Sequence, residues 1–157
     1  MKLSDVITQD LILTDMKGKD PASILREFAE AASKAGKYPD PDLLFDRLND
    51  REKQESTCVG NGIAIPHCKV ENLPDVFIAI GYSAQGVDFK AFDGQLTYFF
   101  FLVVSPANSS VQHLRTLAAL SRLLRSTNFI SHLRERPDSA HLLQLIKQEE
   151  EESKVSL

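Results

Sequence analysis

The sequence predicts a single α/β domain in which a mixed β-sheet is flanked by helices on both faces. Its 157 residues suit one compact domain, and a hydrophobic content of 43% is enough to bury a core. Residues 76–82 (VFIAIGY) and 96–104 (LTYFFFLVV) are β-branched and aromatic runs typical of strands. The second run is apolar on both faces, as in a central strand covered by helices on each side. Helical patterns precede and follow these strands, which favours the α/β class.

The N-terminal segment predicts a short strand and then a helix. Residues 11–13 (LIL) are the candidate strand. Asp20 and Pro21 supply an N-cap and a first-turn residue for the helix. Apolar residues then recur at helical spacing until Gly36, which ends the pattern.

A second helix is predicted to begin at Asp40 and Pro41, with Leu44 and Leu48 on its buried face. Arg51 continues that face, because it follows Leu44 by seven positions and Leu48 by three. Its guanidinium is therefore expected to lie along the apolar stripe rather than to point directly into water. An arginine in that position needs an anionic partner.

The segment after this helix is rich in small residues and predicts loops and short strands. Residues 56–72 read STCVGNGIAIPHCKVEN, in which Gly60 and Gly62 allow backbone conformations that other residues resist. Between the two long strands, Asp93 and Gly94 form a dipeptide typical of a hairpin turn.

The last third of the chain is predicted to be helical. Ser109 and Ser110 are candidate N-caps of a long helix, and Asn128 of a short helix that ends near Pro137. The predicted apolar side of the long helix consists of Leu114, Leu117, Ala118, Ser121 and Leu124. A final helix is indicated by Leu142, Leu143, Leu145 and Ile146. The acidic segment 149–157 (EEEESKVSL) is expected to be a flexible tail.

Charge and composition argue against several classes of function. Lysine and arginine number 18 against 22 acidic residues, so a net charge of -4 gives no reason to expect nucleic acid or an anionic membrane as partner. The polar N-terminus lacks the features of a secretory signal, and no apolar run reaches the roughly 20 residues that span a bilayer. We therefore expect a cytoplasmic protein without membrane insertion.

His67 is the most distinctive candidate for chemistry. It ends the sequence GNGIAIPH, in which Pro66 fixes its own φ and biases Ile65 toward extended geometry. A neutral imidazole is a good nucleophile near neutral pH, and phosphoryl transfer needs chiefly positioning together with cations or donors around the phosphoryl oxygens. The pattern alone also fits a structural histidine in a turn.

His113 is the second candidate. If Ser110 is the N-cap, His113 occupies the third helical position, where unpaired amides and the helix dipole favour an anion. Taken alone, His113 is better explained as a histidine that packs at a helix start. Together, the two imidazoles and the guanidinium of Arg51 could surround one phosphoryl group.

Other chemistries find less support. A zinc site from Cys58, His67, Cys68 and His113 is awkward, because adjacent residues of an extended segment point to opposite sides. Only adjacency to a histidine supports Cys68 as a nucleophile. The two cysteines are too few for a disulfide framework and lack CxxC spacing, so we expect reduced thiols. The sequence predicts neither a metal nor a cofactor.

Two segments resemble the enzyme IIA domains of the fructose-mannitol class in the bacterial phosphoenolpyruvate-dependent phosphotransferase system. Residues 51–69 (REKQESTCVGNGIAIPHCK) resemble the active-site segment of that family, and residues 113–124 (HLRTLAALSRLL) resemble its second conserved helix. The resemblance extends over residues 4–148 and identifies them as a type-2 enzyme IIA domain. Cys58 stands where glycine is common in the family, and Cys68 where a small residue is common.

The resemblance implies roles for particular residues. His67 would accept a phosphoryl group on Nε2 from the phosphohistidine of an HPr-like carrier protein. His113 would assist without carrying phosphate, and Arg51 would help neutralise the phosphoryl charge. Thr57 and Asn61 lie in the matched loop and would support the phosphate.

The N-terminal sequence LSDVITQDLIL resembles the nitrogen-related, regulatory branch of the family. The alternative is a sugar-specific enzyme IIA that passes the phosphoryl group to a IIB component for fructose- or mannitol-type uptake. A third possibility is a binding module switched by phosphorylation, because a phosphate adds roughly two negative charges to one surface position.

Overall fold

The structure is a computed structural model that describes residues 2–155. Within that range, a short 3-10 helix at Leu3–Asp5 precedes six strands and five α-helices. The strands are β1 (Ile7–Leu13), β2 (Cys58–Gly60), β3 (Ile63–Ala64), β4 (His67–Val70), β5 (Phe77–Val87) and β6 (Thr97–Pro106). The helices are α1 (Pro21–Lys34), α2 (Pro41–Gln54), α3 (Ser110–Leu123), α4 (Thr127–Arg134) and α5 (Ser139–Val155).

The strands form one mixed sheet, as predicted. Its order is β1-β5-β6-β3-β2, and β4 pairs with β6 beyond the end of β3. The pairs β1/β5, β3/β6 and β4/β6 are parallel, whereas β5/β6 and β2/β3 are antiparallel. One apolar core lies between the sheet and α1 and α2, and a second between the sheet and α3, α4 and α5. The prediction of helices on both faces is therefore confirmed.

Pro66 divides what would otherwise be one long strand into β3 and β4. Both halves pair with β6, with Ile63 opposite Phe99 and His67 opposite Val103. Proline has no N–H, but its carbonyl accepts a hydrogen bond from the amide of Val103 at 2.9 Å. The chain therefore keeps its register with β6 across the break.

The starts of α1 and α2 follow the sequence prediction. The Asp20 carboxylate accepts a hydrogen bond from the amide of Ser23, whose hydroxyl in turn accepts one from the amide of Asp20. These two bonds form a capping box. At α2, the Asp40 carboxylate accepts from the amide of Leu43.

The structure decides between the predicted candidates at α3 and differs from the prediction at α4. The N-cap of α3 is Ser109, one of the two candidates, so His113 is the fourth helical residue and not the third as a cap at Ser110 would make it. The N-cap of α4 is Ser126 rather than Asn128, and its hydroxyl accepts a hydrogen bond from the amide of Phe129. In both cases a neighbouring polar residue offered an equally plausible cap from sequence alone.

The buried face of α3 agrees with the prediction only in part, since Leu117 and Leu124 pack in the core. The residues of this helix that face the core are His113, Thr116, Leu120 and Leu123. Leu114, placed by the periodicity on the apolar side, is 65% exposed. Apolar residues occupy more of α3 than one face can bury, so the packing against β6 decides which of them are covered.

The acidic segment from Glu149 is helical as far as Val155, because α5 continues through it. The Glu149 carboxylate accepts a hydrogen bond from the Ser126 hydroxyl at 2.8 Å. The Glu150 carboxylate accepts from the backbone amides of Leu3 and Ser4. These bonds attach the acidic turn to the chain, and residues 156–157 lie outside the described range. Among the described helices, none combines the length and the apolar character that a bilayer span requires.

The central position of β6 leads to a stability prediction. Phe100 is fully buried against Phe28 and Phe89, whereas Phe92 is 84% exposed. We expect Phe100→Ala to lower the free energy of unfolding by about 3–5 kcal/mol, because it removes apolar contacts and leaves a cavity. Phe92→Ala is the matched control and should change it by less than about 0.5 kcal/mol. Urea unfolding of both variants measures the difference, and equal effects would contradict the assignment of β6 to the core.

Candidate active site

His67 and His113 meet on one side of the sheet, near the carboxyl end of β6. His67 is the first residue of β4, and His113 comes from the first turns of α3, which follows β6 directly. Their ring centroids are 5.4 Å apart and their planes are inclined at 50°. The structure therefore brings together the two histidines that the sequence singled out separately.

The side chain of His67 is oriented by its own backbone. Its Nδ1 lies 2.7 Å from the carbonyl oxygen of Ile65, two residues earlier. A carbonyl oxygen can only accept a hydrogen bond, so in the neutral ring Nδ1 carries the proton. Nε2 consequently keeps a lone pair. The extended geometry imposed around Pro66 is what brings this carbonyl and the imidazole together.

Burial disfavours the charged form of both imidazoles. It lowers the pKa of His67, an effect opposed by the hydrogen bond to Ile65 and reinforced by the charge of Arg51. Burial, together with the charges of His67, Lys69 and Arg51, lowers the pKa of His113 to about 4. The Nδ1 atom of His113 lies 2.7 Å from the hydroxyl of Ser105, which is fully buried on β6.

Two cations complete the site. Arg51 lies in the last turn of α2, and its Nη1 donates a hydrogen bond to the carbonyl of Glu55 at 2.9 Å. Lys69 donates from Nζ to the hydroxyl of Ser110 at 3.3 Å. Among residues 2–155, no carboxylate forms an ion pair with either cation. Neither cation is therefore neutralised by a direct ion pair with a described carboxylate, although the charge of Arg51 also favours the carboxylate form of Glu52.

Sequence reasoning did not select Lys69, although a signal was present. In an extended strand, residues two apart project from the same face, and Lys69 follows His67 by two positions in β4. Cys68 projects to the other face and packs in the core beneath α1 and α2.

Thr57 supports the site indirectly. Its amide and its hydroxyl both donate to the carboxylate of Glu52, at 2.8 and 2.7 Å. Its carbonyl accepts a hydrogen bond from the amide of Ile65 at 2.9 Å. Ile65 is the residue whose carbonyl orients His67. Thr57 therefore acts on the backbone behind the imidazole, and Glu52, which the sequence did not single out, holds Thr57.

Asn61 lies away from the two imidazoles. It occupies the turn between β2 and β3 with φ at 58°, and its carbonyl accepts a hydrogen bond from Arg134 at 3.1 Å. Ile63 pairs with Phe99, and His67 pairs with Val103 four residues further along β6. Ile63, which follows the Asn61 turn, is therefore about 13 Å from His67 along this strand. The structure places Asn61 in a turn, bonded to Arg134 of α4, rather than beside His67.

The sequence also raised a cysteine nucleophile and a zinc site as alternatives. The residues that the structure describes support neither of them. Burial raises the pKa of the Cys68 thiol to about 12, which leaves it protonated and unreactive as a nucleophile. Cys58 and Cys68 are both free. Among the described residues, no group of three or more histidine, cysteine, aspartate or glutamate side chains is placed to hold a metal ion.

Comparison with known proteins identifies the family of the chain. The family described as "Phosphoenolpyruvate-dependent sugar phosphotransferase system, EIIA 2" matches residues 5–149. A nitrogen regulatory protein of Bradyrhizobium diazoefficiens is 33% identical over 88% of this chain and 90% of its own length. The fructose-specific EIIABC component of Bacillus subtilis is 31% identical over 94% of this chain, which spans 23% of that protein.

Solved structures share the fold. The nitrogen regulatory protein IIA-Ntr of Neisseria meningitidis superimposes with a TM-score of 0.84 at 22% identity, covering 92% of this chain and 98% of its own. Enzyme IIA for mannitol of Escherichia coli, solved in complex with phosphorylated IIB, gives a TM-score of 0.74 at 20% identity over 88% and 95% of the two chains. With the family match over almost the whole domain, the chain belongs to the type-2 enzyme IIA family of the phosphoenolpyruvate-dependent sugar phosphotransferase system, whose members are phosphotransferase components.

Proposed function

We propose that this protein is a cytoplasmic phosphocarrier in which Nε2 of His67 accepts a phosphoryl group from the phosphohistidine of an HPr-like protein. The observation that carries the proposal is the hydrogen bond from Nδ1 of His67 to the Ile65 carbonyl. It leaves the Nε2 lone pair free in a neutral, partly buried ring beside two cations. Family membership supplies the reaction class.

The transfer balances without the movement of a proton. The Nε2 lone pair of His67 forms the new N–P bond, while the electrons of the old P–N bond return to the nitrogen of the donor imidazole. His67 keeps its proton on Nδ1, so the phosphorylated ring gains positive character. The Ile65 carbonyl oxygen is positioned to stabilise that charge.

Arg51, Lys69 and His113 would stabilise the transferred group. Its three oxygens carry the charge in the transition state, and fixed positive charges in a partly buried site lower the barrier. The guanidinium of Arg51 can bind two of these oxygens at once, whereas the ammonium of Lys69 acts as a point charge. Thr57 contributes by holding the backbone at Ile65.

We assign the protein to the regulatory, nitrogen-related branch. The nitrogen regulatory protein of Bradyrhizobium diazoefficiens matches it over most of both lengths, which supports this branch. The sugar-transport branch is the alternative, supported by the similarity to the fructose-specific component of Bacillus subtilis. Incubation of the phosphorylated protein with a purified IIB component separates them. Rapid transfer of label to IIB would favour transport, and retention of label would favour regulation.

A phosphorylation-dependent binding surface is a second candidate function. Val111 and Leu114, on either side of His113, are 62% and 65% exposed. A phosphate on His67 would add roughly two negative charges close to these apolar side chains. Partner binding at this surface should therefore differ between the free and phosphorylated protein, and identical partners in both states would argue against a switch.

Loss of the acceptor histidine should abolish labelling of the protein. With phosphoenolpyruvate, enzyme I and an HPr-like carrier, the wild-type protein should take up labelled phosphate that is stable in alkali and labile in acid. His67→Ala should take up none, because no other described histidine combines a free Nε2 with the cations of this site. His132→Ala is the matched control, since Nδ1 of His132 also bonds a backbone carbonyl but lies on α4. Full labelling of His67→Ala would disprove the assignment.

Removal of the Arg51 charge should change the pH dependence of phosphorylation. Because the charge of Arg51 lowers the pKa of His67, Arg51→Gln should raise that pKa. The neutral ring is the nucleophile, so the rate of phosphorylation should fall as pH drops through the pKa of His67, and this fall should begin at higher pH in the variant. At pH 7.5 the variant should also be about 100-fold slower, since one stabilising donor is lost.

These quantities can be measured by NMR titration of the imidazole resonances and by phosphorylation rates between pH 5 and 8. Arg122→Gln, at an exposed position in the last turn of α3, is a suitable control. An unchanged His67 pKa in Arg51→Gln would show that the guanidinium does not act on this imidazole.

A further inference from the structure

The two imidazoles of the site have different partners at Nδ1. His67 faces the carbonyl of Ile65, which can only accept a hydrogen bond. His113 faces the hydroxyl of Ser105, which can donate or accept. The second contact therefore leaves the position of the His113 proton to be decided by the surroundings of the hydroxyl.

Those surroundings favour one arrangement. Ser105 is fully buried in the central strand β6, and in the part of the chain that the structure describes its hydroxyl has a hydrogen-bond partner only in Nδ1 of His113. If Nδ1 carried the proton, the hydroxyl would accept it and its own hydrogen would be buried without an acceptor. If the hydroxyl donates to Nδ1, its hydrogen and the ring nitrogen are both satisfied. An unsatisfied buried donor is costly, so the second arrangement is favoured.

We propose that Ser105 is a positioning residue whose hydroxyl donates to Nδ1 of His113 and thereby holds the His113 proton on Nε2. His113 then presents an N–H to the site, whereas His67 presents a lone pair. As far as it concerns a phosphoryl group, the inference rests on the proposed function of His67.

This arrangement gives the two neutral rings complementary roles. With ring centroids 5.4 Å apart, both rings border the same space. The Nε2–H of His113 can donate to an oxygen of a phosphoryl group on His67 without any proton transfer. The opposite tautomer would place a lone pair against the same anionic oxygen and repel it.

The position of Ser105 suits such a role. It lies on β6 directly opposite Lys69 of β4, in the register that also sets His67 opposite Val103. The strand is buried on both faces, so the hydroxyl is held in place by the central element of the sheet. The same segment of β6 therefore positions His113, Lys69 and His67.

The experiment measures the tautomer directly in the unphosphorylated protein, by long-range proton–nitrogen NMR of the 15N-labelled chain near pH 7. Wild-type His113 should carry its proton on Nε2 and His67 on Nδ1. A His113 proton found on Nδ1 would overturn the inference, whatever the protein does with phosphate.

Variants test the role of the hydroxyl. Ser105→Ala should populate both His113 tautomers and slow phosphorylation by about tenfold, with KM for the carrier unchanged, because partners that orient a histidine commonly contribute that much. Ser105→Thr keeps the hydroxyl and should restore the Nε2–H tautomer. Ser83→Ala is the matched control, since it removes a buried serine hydroxyl that bonds the amide of Gly86 instead of a histidine.

The two proposals fail in different ways. Absence of label on the wild-type protein would disprove the phosphocarrier function. The tautomer measurement would still test whether the Ser105 hydroxyl holds the His113 proton on Nε2. If the wild type is labelled but Ser105→Ala keeps both the Nε2–H tautomer and the wild-type rate, Ser105 has no positioning role.

Discussion

The parallel pairing of β4 with β6 is the interaction on which the rest of the site depends. It sets His67 beside Val103 and Lys69 beside Ser105, and it survives the proline that separates β3 from β4 because the Pro66 carbonyl still bonds to Val103. Since β6 leads directly into α3, the same strand also determines where His113 lies. A shift of this register by one residue would turn His67 toward the core beneath α1 and α2.

The electrostatics of the site follow from burial more than from hydrogen bonding. Desolvation is the largest influence on the pKa of both histidines, and it outweighs the bond from Ile65 that favours the charged form of His67. Two neutral rings can approach each other closely where two imidazolium ions would repel. The fixed charges then come from Arg51 and Lys69, so a chain with a net charge of -4 has a locally positive site.

The sequence predicted the features that depend on local chemistry. The caps of α1 and α2, the two long strands and the rigid histidine after Pro66 all follow from residue types at fixed spacing. Features set by tertiary packing were missed or misplaced. The exposure of Leu114 and the position of Asn61 depend on how strands and helices meet. In the sequence, nothing distinguishes Ser105 from an ordinary residue before a proline. Its contact with the His113 imidazole depends on the strand register and on the packing of α3 against β6.

The last turn of α2 shows how neighbouring residues can serve one site in two ways. Arg51 contributes a charge that acts on both imidazoles, whereas the adjacent Glu52 turns to the loop and holds the amide and hydroxyl of Thr57. Burial raises the pKa of Glu52, while the two bonds from Thr57 favour its carboxylate. The carboxylate anchors Thr57, and Thr57 anchors Ile65, whose carbonyl holds the proton of His67 on Nδ1. In the proposed reaction, the same turn of helix would supply both a charge that stabilises the phosphoryl group and the backbone support that keeps the Nε2 lone pair of His67 available.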